Sequence, residues 1–169
     1  MFTTVSRSGR HLQRYNKGCR LVVGCIPYRY KTCPNKAAEN DEVEVLVISS
    51  QKGRGMLFPK GGWELDESVE EAASRETLEE AGVVGNVEGE LGKWSFRSKS
   101  QGTNHEGRMF ALLVTEQLDL WPEKDLRQRV WMNVDEAREV CQHGWMKEAL
   151  DVLVDRLTSE KLHGGVLEQ

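Results

Sequence analysis

Two apolar runs of strand length stand near the start of the chain: Leu21-Val22-Val23-Gly24-Cys25-Ile26, and Val43-Glu44-Val45-Leu46-Val47-Ile48, which alternates before turning wholly apolar. Half-buried strands entering a core carry that pattern. The intervening Lys31–Asp41 (KTCPNKAAEND) mixes proline, asparagine and charge and predicts a hairpin loop. Gly53-Arg54-Gly55 breaks the chain, and Met56-Leu57-Phe58 predicts a short strand stopped by Pro59. A helical period follows. Ser68 and Glu71 spell an S-x-x-E capping box, and Gly82 supplies the stop. Val69, Ala72, Ala73, Thr77 and Ala81 form the inward face of that helix, and the opposite, acidic face is expected in solvent.

Further strands are predicted at Gly89–Arg97, Met109–Thr115 and Arg129–Val134, and amphipathic helices at Val134–Cys141 and Trp145–Leu157. The tail from Lys161 (KLHGGVLEQ) reads as frayed. Strands dominate the first two thirds and helices close the chain, so the class is α+β or an α/β/α sandwich. One domain over residues 1–160, with 161–169 as a tail, accommodates all of it.

Composition narrows the function. With 169 residues, 38% hydrophobic and 30% charged, the chain can bury a core without staples. No apolar run approaches the ~18–20 residues of a membrane span. Cys19, Cys25, Cys33 and Cys141 contain no C-x-x-C pair, so neither a zinc knuckle nor a disulfide framework is spelled out. A net charge of −4 argues against coating nucleic acid. The charge is uneven, however: residues 1–38 lack Asp and Glu altogether while holding Arg7, Arg10, Arg14, Lys17, Arg20, Arg29, Lys31 and Lys36. Such a stretch fits a folded anion site. It also fits an organelle transit segment, although the strand beginning at Leu21 leaves little room for one. Cytoplasmic and nuclear location is the expectation, with mitochondrial as the alternative, and a monomer without membrane or nucleic-acid partner.

Within the capped helix, Glu76, Glu79 and Glu80 fall at i, i+3 and i+4, three repelling carboxylates in one turn. A solvated surface is one use of such a run. A nest of hard oxygen ligands for Mg²⁺ or Mn²⁺ is the other, since a divalent ion offsets the repulsion. Arg75 stands four residues before Glu79 and can fix its rotamer. Ahead of the helix, Pro59-Lys60-Gly61-Gly62 combines a rigid entry, a cation and glycines whose backbone can approach a metal or phosphate.

Counted from Gly61, the positions of Glu67, Arg75-Glu76, Glu79-Glu80 and Gly82-Val83 resemble the Nudix box, G-x5-E-x7-R-E-U-x-E-E-x-G-U, with Thr77 departing at the first aliphatic position. The resemblance implies the Nudix fold, with a mixed central sheet and a loop–helix–loop platform, and hydrolysis of a diphosphate linked to another moiety. It assigns metal contacts to Glu76, Glu79, Glu80, Gly61 and Glu67, and catalytic roles to Arg75, Glu76, Glu79 and Glu80, with Mg²⁺ or Mn²⁺ as the cofactor. Outside the box, Gly9–Tyr15, Val47–Gly53, Phe58–Glu64 and Trp145–Leu150 are similar to the plant branch related to diphosphoinositol polyphosphate phosphohydrolases and diadenosine polyphosphate hydrolases. The absence of proline between Pro59 and Pro122 disfavours ADP-ribose and NADH hydrolases.

That resemblance implies a small polyphosphate substrate, and the expected contacts are Arg10, Arg20, Ser49, Ser50, Lys52, Arg54, Lys60, Gly62, Arg129 and Lys147, within a wider basic set that includes Arg108 and Arg127. Trp63, beside the loop, is the best placed tryptophan to stack on an adenine. Inositol pyrophosphate hydrolysis is the leading expectation and diadenosine polyphosphate hydrolysis the alternative. A catalytically idle phosphate-binding module is a third reading, and it predicts a degraded box.

Overall fold

The computed structural model describes residue 6 and residues 12–31, 42–51, 55–98 and 102–167. Arg10, Lys52 and Arg54 lie outside the described residues, as does most of the expected hairpin loop.

The elements in chain order are β1 (Tyr15–Asn16), β2 (Cys19–Lys31), β3 (Glu42–Ser49), β4 (Met56–Leu57), β5 (Lys60–Gly62), α1 (Val69–Ala81), β6 (Val83–Arg97), β7 (Asn104–Gln117), β8 (Arg129–Asn133), α2 (Val134–Val140) and α3 (Gly144–Leu167). The main path of the sheet runs β4-β3-β2-β7-β6, with β1 and β5 also on β2 and β8 on β3. The β2–β7 pair is parallel, from Arg20 opposite His105 to Tyr28 opposite Leu113, and the other pairs are antiparallel. The sheet is therefore mixed, as expected.

Alternation along the central strands sends side chains to both faces. Val23 and Cys25 of β2 join Phe110 and Leu112 of β7 under Ala72 and Ala73 of α1. Ile26, Met109 and Ala111 instead meet Met146, Ala149, Leu150 and Leu153 of α3. Helices thus cover opposite faces, giving the sandwich. Gly24 admits the Pro59 carbonyl to a spot that a Cβ would occupy, so β5 lies directly on β2 with Gly61 opposite Val23. This contact brings the glycine loop to the middle of the sheet.

Several elements differ from the sequence-based expectation: β1 and β5 have no counterpart in it, β2 and β7 extend beyond their expected ends, and β6 and α3 have other bounds. β6 starts at Val83 rather than Gly89, immediately after the left-handed Gly82 cap (φ 67°). Register shifts at Val84/Gly85, Val87/Glu90 and Glu90/Gly92 break its periodicity, so one bulged strand reads in sequence as a glycine-rich break followed by a shorter strand. Helix α3 continues past Leu157 to Leu167, across much of the segment expected to fray.

Candidate functional site

Both ends of α1 are fixed by local chemistry. The Ser68 hydroxyl accepts the Glu71 N–H at 3.1 Å while the Glu71 carboxylate accepts the Ser68 N–H at 2.8 Å. The loop leading in is tied down by Arg14, which donates to the carbonyls of Glu64, Leu65 and Glu67.

The acidic side of α1 is not in solvent. Glu76, Glu79 and Glu80 are 8%, 3% and 6% exposed, because β5 and the segment between β7 and β8 close over them. Glu123 of that segment donates its N–H to the Glu79 carbonyl at 3.0 Å and brings a fourth buried carboxylate to the same cleft. The cleft has a volume of about 340 Å³, and Lys60, Arg20 and Arg127 line it together with those four glutamates. Gly61 is required on steric grounds: a Cβ there would overlap the Glu76 carboxylate.

Arg75 holds more than Glu79. Its Nε and Nη2 donate to both oxygens of Glu67 at 2.9 and 2.7 Å, Nη1 donates to Glu76 at 2.9 Å and Glu79 at 3.3 Å, and Nη2 reaches the Gly62 carbonyl at 2.9 Å. The Glu67 carboxylate also accepts the Glu64 N–H at 3.0 Å, and its two bonds to Arg75 anchor the guanidinium outside the lining of the cleft. Glu80 accepts the Lys60 N–H at 3.1 Å and lies 3.5 Å from Arg127 Nη2. Arg127 also donates to Glu123 at 2.9 Å and to the Ser49 carbonyl at 3.1 Å. Glu123 further accepts from Ser6 and Gln51.

Burial and crowding shift the titrations. Burial, with Glu79 and Glu123 adding to it against the opposing pull of Arg75, raises Glu76 to about 7. Burial and the neighbouring Glu76 raise Glu80 to about 8 despite Arg127. The Lys60 ammonium is pushed down, chiefly by burial. These carboxylates are hard oxygen donors kept together against their own repulsion, and Gly61 leaves one of them room at the loop. That donor set fits Mg²⁺ or Mn²⁺. Among the described residues no three such groups converge on one point. Arg75 and Arg127 divide the carboxylates between them, Arg75 pairing with Glu76 and Glu79 and Arg127 with Glu80 and Glu123.

A second cavity of about 420 Å³ adjoins the cleft and shares Gln51 and Arg127 with it; Ser49, Ser50 and Asp125 lie in its wall. The Ser49 hydroxyl accepts the Gln128 N–H at 2.9 Å. Gly62 and Arg20 line the cleft. Arg129 and Lys147 line neither cavity. The Arg129 guanidinium is used by the carbonyls of Ala81, Gly82 and Leu118, and Lys147 sits in the first turn of α3. Arg127, two residues before Arg129, lines both cavities. Trp63 is half-buried: Arg14 lies 4.4 Å and Arg108 5.5 Å from its ring, and its indole N–H goes to the Glu67 carbonyl. Glu123 is a cleft residue that no motif marked, and Gln13 and Gln51, which fall in the segments similar to the plant branch without a role assigned there, line the cleft with it.

The family model for the NUDIX domain matches residues 37–155. The chain belongs to the Nudix family. Nudix hydrolase 17, mitochondrial, of Arabidopsis thaliana is 70% identical over 159 residues, covering 94% of this chain and 87% of the relative. Diphosphoinositol polyphosphate phosphohydrolase 3-alpha of Mus musculus is 35% identical over 128 residues, covering 75% of this chain and 71% of the relative. The crystal structure of a C. elegans Ap4A hydrolase binary complex superposes with a TM-score of 0.65 at 18% identity, over 82% of this chain and 98% of the other, a likeness of fold. As a Nudix hydrolase, the protein acts on pyrophosphate bonds.

Proposed function

We propose that this Nudix hydrolase is a Mg²⁺- or Mn²⁺-dependent pyrophosphatase acting on the diphosphate group of diphosphoinositol polyphosphates. One observation carries the reading: buried carboxylates face Lys60, Arg20 and Arg127 in the cleft, and among the described residues no aromatic ring lines either cavity. Such walls suit a phosphate-dense ligand without a nucleobase.

Glu76, Glu79 and Glu80 would hold the ion, with the Gly61 backbone beside them. When bound, a divalent ion offsets charge on the bridging phosphates and lowers the pKa of a water. The remaining work belongs to the chain. Arg75, anchored on Glu67, orients Glu76 and Glu79. A glutamate of the cleft accepts the proton of the attacking water, and Lys60, Arg20 and Arg127 neutralise phosphate oxygens through charge-assisted bonds. The adjoining cavity offers space for the part of the substrate that is not cleaved.

Diadenosine polyphosphates are the second reading, supported by the fold likeness to the Ap4A hydrolase. An adenine would need a stacking surface, and the Arg14 and Arg108 contacts leave Trp63 poorly suited to provide one. An idle binding module fits poorly with a box retaining all its charged positions. For location, the name of the Arabidopsis relative supports the mitochondrial alternative over cytoplasm or nucleus. The test is phosphorus NMR of a diphosphoinositol pentakisphosphate incubated with protein and Mg²⁺. Conversion of the diphosphate signal to inorganic phosphate supports the proposal, and a persistent diphosphate signal refutes it.

A further inference from the structure

The last turn of α1 concentrates negative charge. Glu79 and Glu80 stand there, no basic residue of the helix shares the turn, and the carbonyl end of the helix dipole adds to them. The compensating cation comes from β8. Arg129 Nη1 donates to the Ala81 and Gly82 carbonyls, each at 3.1 Å, while Nη2 donates to the Leu118 carbonyl at 2.7 Å. Its guanidinium carbon lies 3.8 Å from the Trp121 ring centroid, and that ring packs so tightly on Gly82 that a Cβ there would stand 2.5 Å from it.

Arg129 therefore joins two pieces of chain: the end of the helix bearing the glutamates, and the segment bearing Trp121, Glu123 and Arg127. Two backbone bonds run along the same seam, from Leu118 N–H to the Gly82 carbonyl at 2.8 Å and from Glu123 N–H to the Glu79 carbonyl at 3.0 Å. Of the segment's cleft-facing groups, Glu123 sits in this seam and Arg127 follows four residues later.

We infer that Arg129 is a positioning residue that registers the 118–127 segment on the C-terminal end of α1 and thereby sets Glu123 and Arg127 against the carboxylates of the cleft. The inference rests on the metal-binding reading above and goes beyond it, because Arg129 touches neither cavity and acts through the segment it holds. A lysine there keeps the charge but cannot donate to three carbonyls and stack in one plane.

The experiment uses the full chain and two readouts: amide hydrogen exchange by NMR, and Mn²⁺ affinity from the electron paramagnetic resonance signal of free Mn²⁺. Arg129→Met should speed exchange at Leu118 and Glu123 by tenfold or more, leave Ala72 protected, and weaken Mn²⁺ binding at least fivefold. Arg129→Lys, the milder variant should the first not fold, should move both readouts in the same direction by less. In a Glu123→Gln background, Arg129→Met should weaken Mn²⁺ binding less than twofold further, since both changes act through one segment. Unchanged exchange at Leu118 and Glu123, unchanged Mn²⁺ affinity, or losses that multiply in the double variant would each overturn the assignment. A Glu80→Gln control separates the two claims: if it too binds Mn²⁺ as the wild type does, the metal reading falls and takes this role with it.

Discussion

Arg75 and Glu67 form a two-pronged ion pair, Nε to Oε2 at 2.9 Å and Nη2 to Oε1 at 2.7 Å, linking the helix to the loop before it. The remaining Arg75 nitrogen is thereby aimed at Glu76 and Glu79. Arg75→Met removes the cation from among buried carboxylates, and the expected loss of stability in urea unfolding is about 3–5 kcal/mol. Glu67→Gln should cost less, because Arg75 keeps its other partners. A loss below about 1 kcal/mol for Arg75→Met, the range of exposed pairs, would contradict a structural role for this cation.

The raised titrations of Glu76 and Glu80 predict how stability varies with pH. Folded values of about 7 and 8 lie above the ordinary carboxylate value of 4.5, so the folded protein binds protons that the unfolded chain releases. Their contribution to stability is full below the unfolded value and is lost as pH rises through 7 to 8. With EDTA present, Tm should fall between pH 5.5 and pH 8.5. Saturating Mg²⁺ should raise Tm most at the higher pH, where the ligands are ionised. A flat Tm profile in EDTA would count against these shifts.

Glu79→Gln and Glu80→Gln should each reduce turnover by at least about 10²-fold, the scale on which one group of a preorganised electrostatic site acts. Each should also raise Tm in EDTA at pH 8.5, where Glu76 and Glu80 are ionised and a neutral amide of nearly the same shape relieves repulsion in the buried cluster. Near wild-type turnover in both variants at saturating Mg²⁺ would remove these residues from the chemistry.

The cleft cations differ from the remote one. Arg127→Gln should raise KM for a diphosphoinositol polyphosphate about tenfold and flatten its salt dependence, the loss of one charge-assisted contact. Lys147→Gln, in the first turn of α3 and outside both cavities, should leave KM within twofold. Equal effects from the two substitutions would indicate attraction by overall charge rather than contact in the cleft.

The capped helix and its three glutamates were legible because their signals are local: Ser68 with Glu71, Gly82, and the i, i+3, i+4 spacing. Their burial was not, since it depends on the segment after β7 returning to α1, and no periodicity marks Glu123 for that contact. Arg127 and Arg129 look equivalent in sequence. The fold separates them, one toward the carboxylates and one toward the carbonyl end of the helix. Gly85, Gly89 and Gly92 hid the true extent of β6, because bulges break the period by which a strand is read.

Substrate class is the central claim, and side-by-side hydrolysis of a diphosphoinositol pentakisphosphate and diadenosine polyphosphates tests it most directly. Both are assayed with the same enzyme preparation in Mg²⁺, and kcat/KM is compared. The cleft of carboxylates and cations, with no aromatic wall among the described residues, predicts a higher value for the inositol pyrophosphate, by about tenfold or more, the scale of one unmatched stacking or charge-assisted contact. A higher kcat/KM for any diadenosine polyphosphate would contradict it.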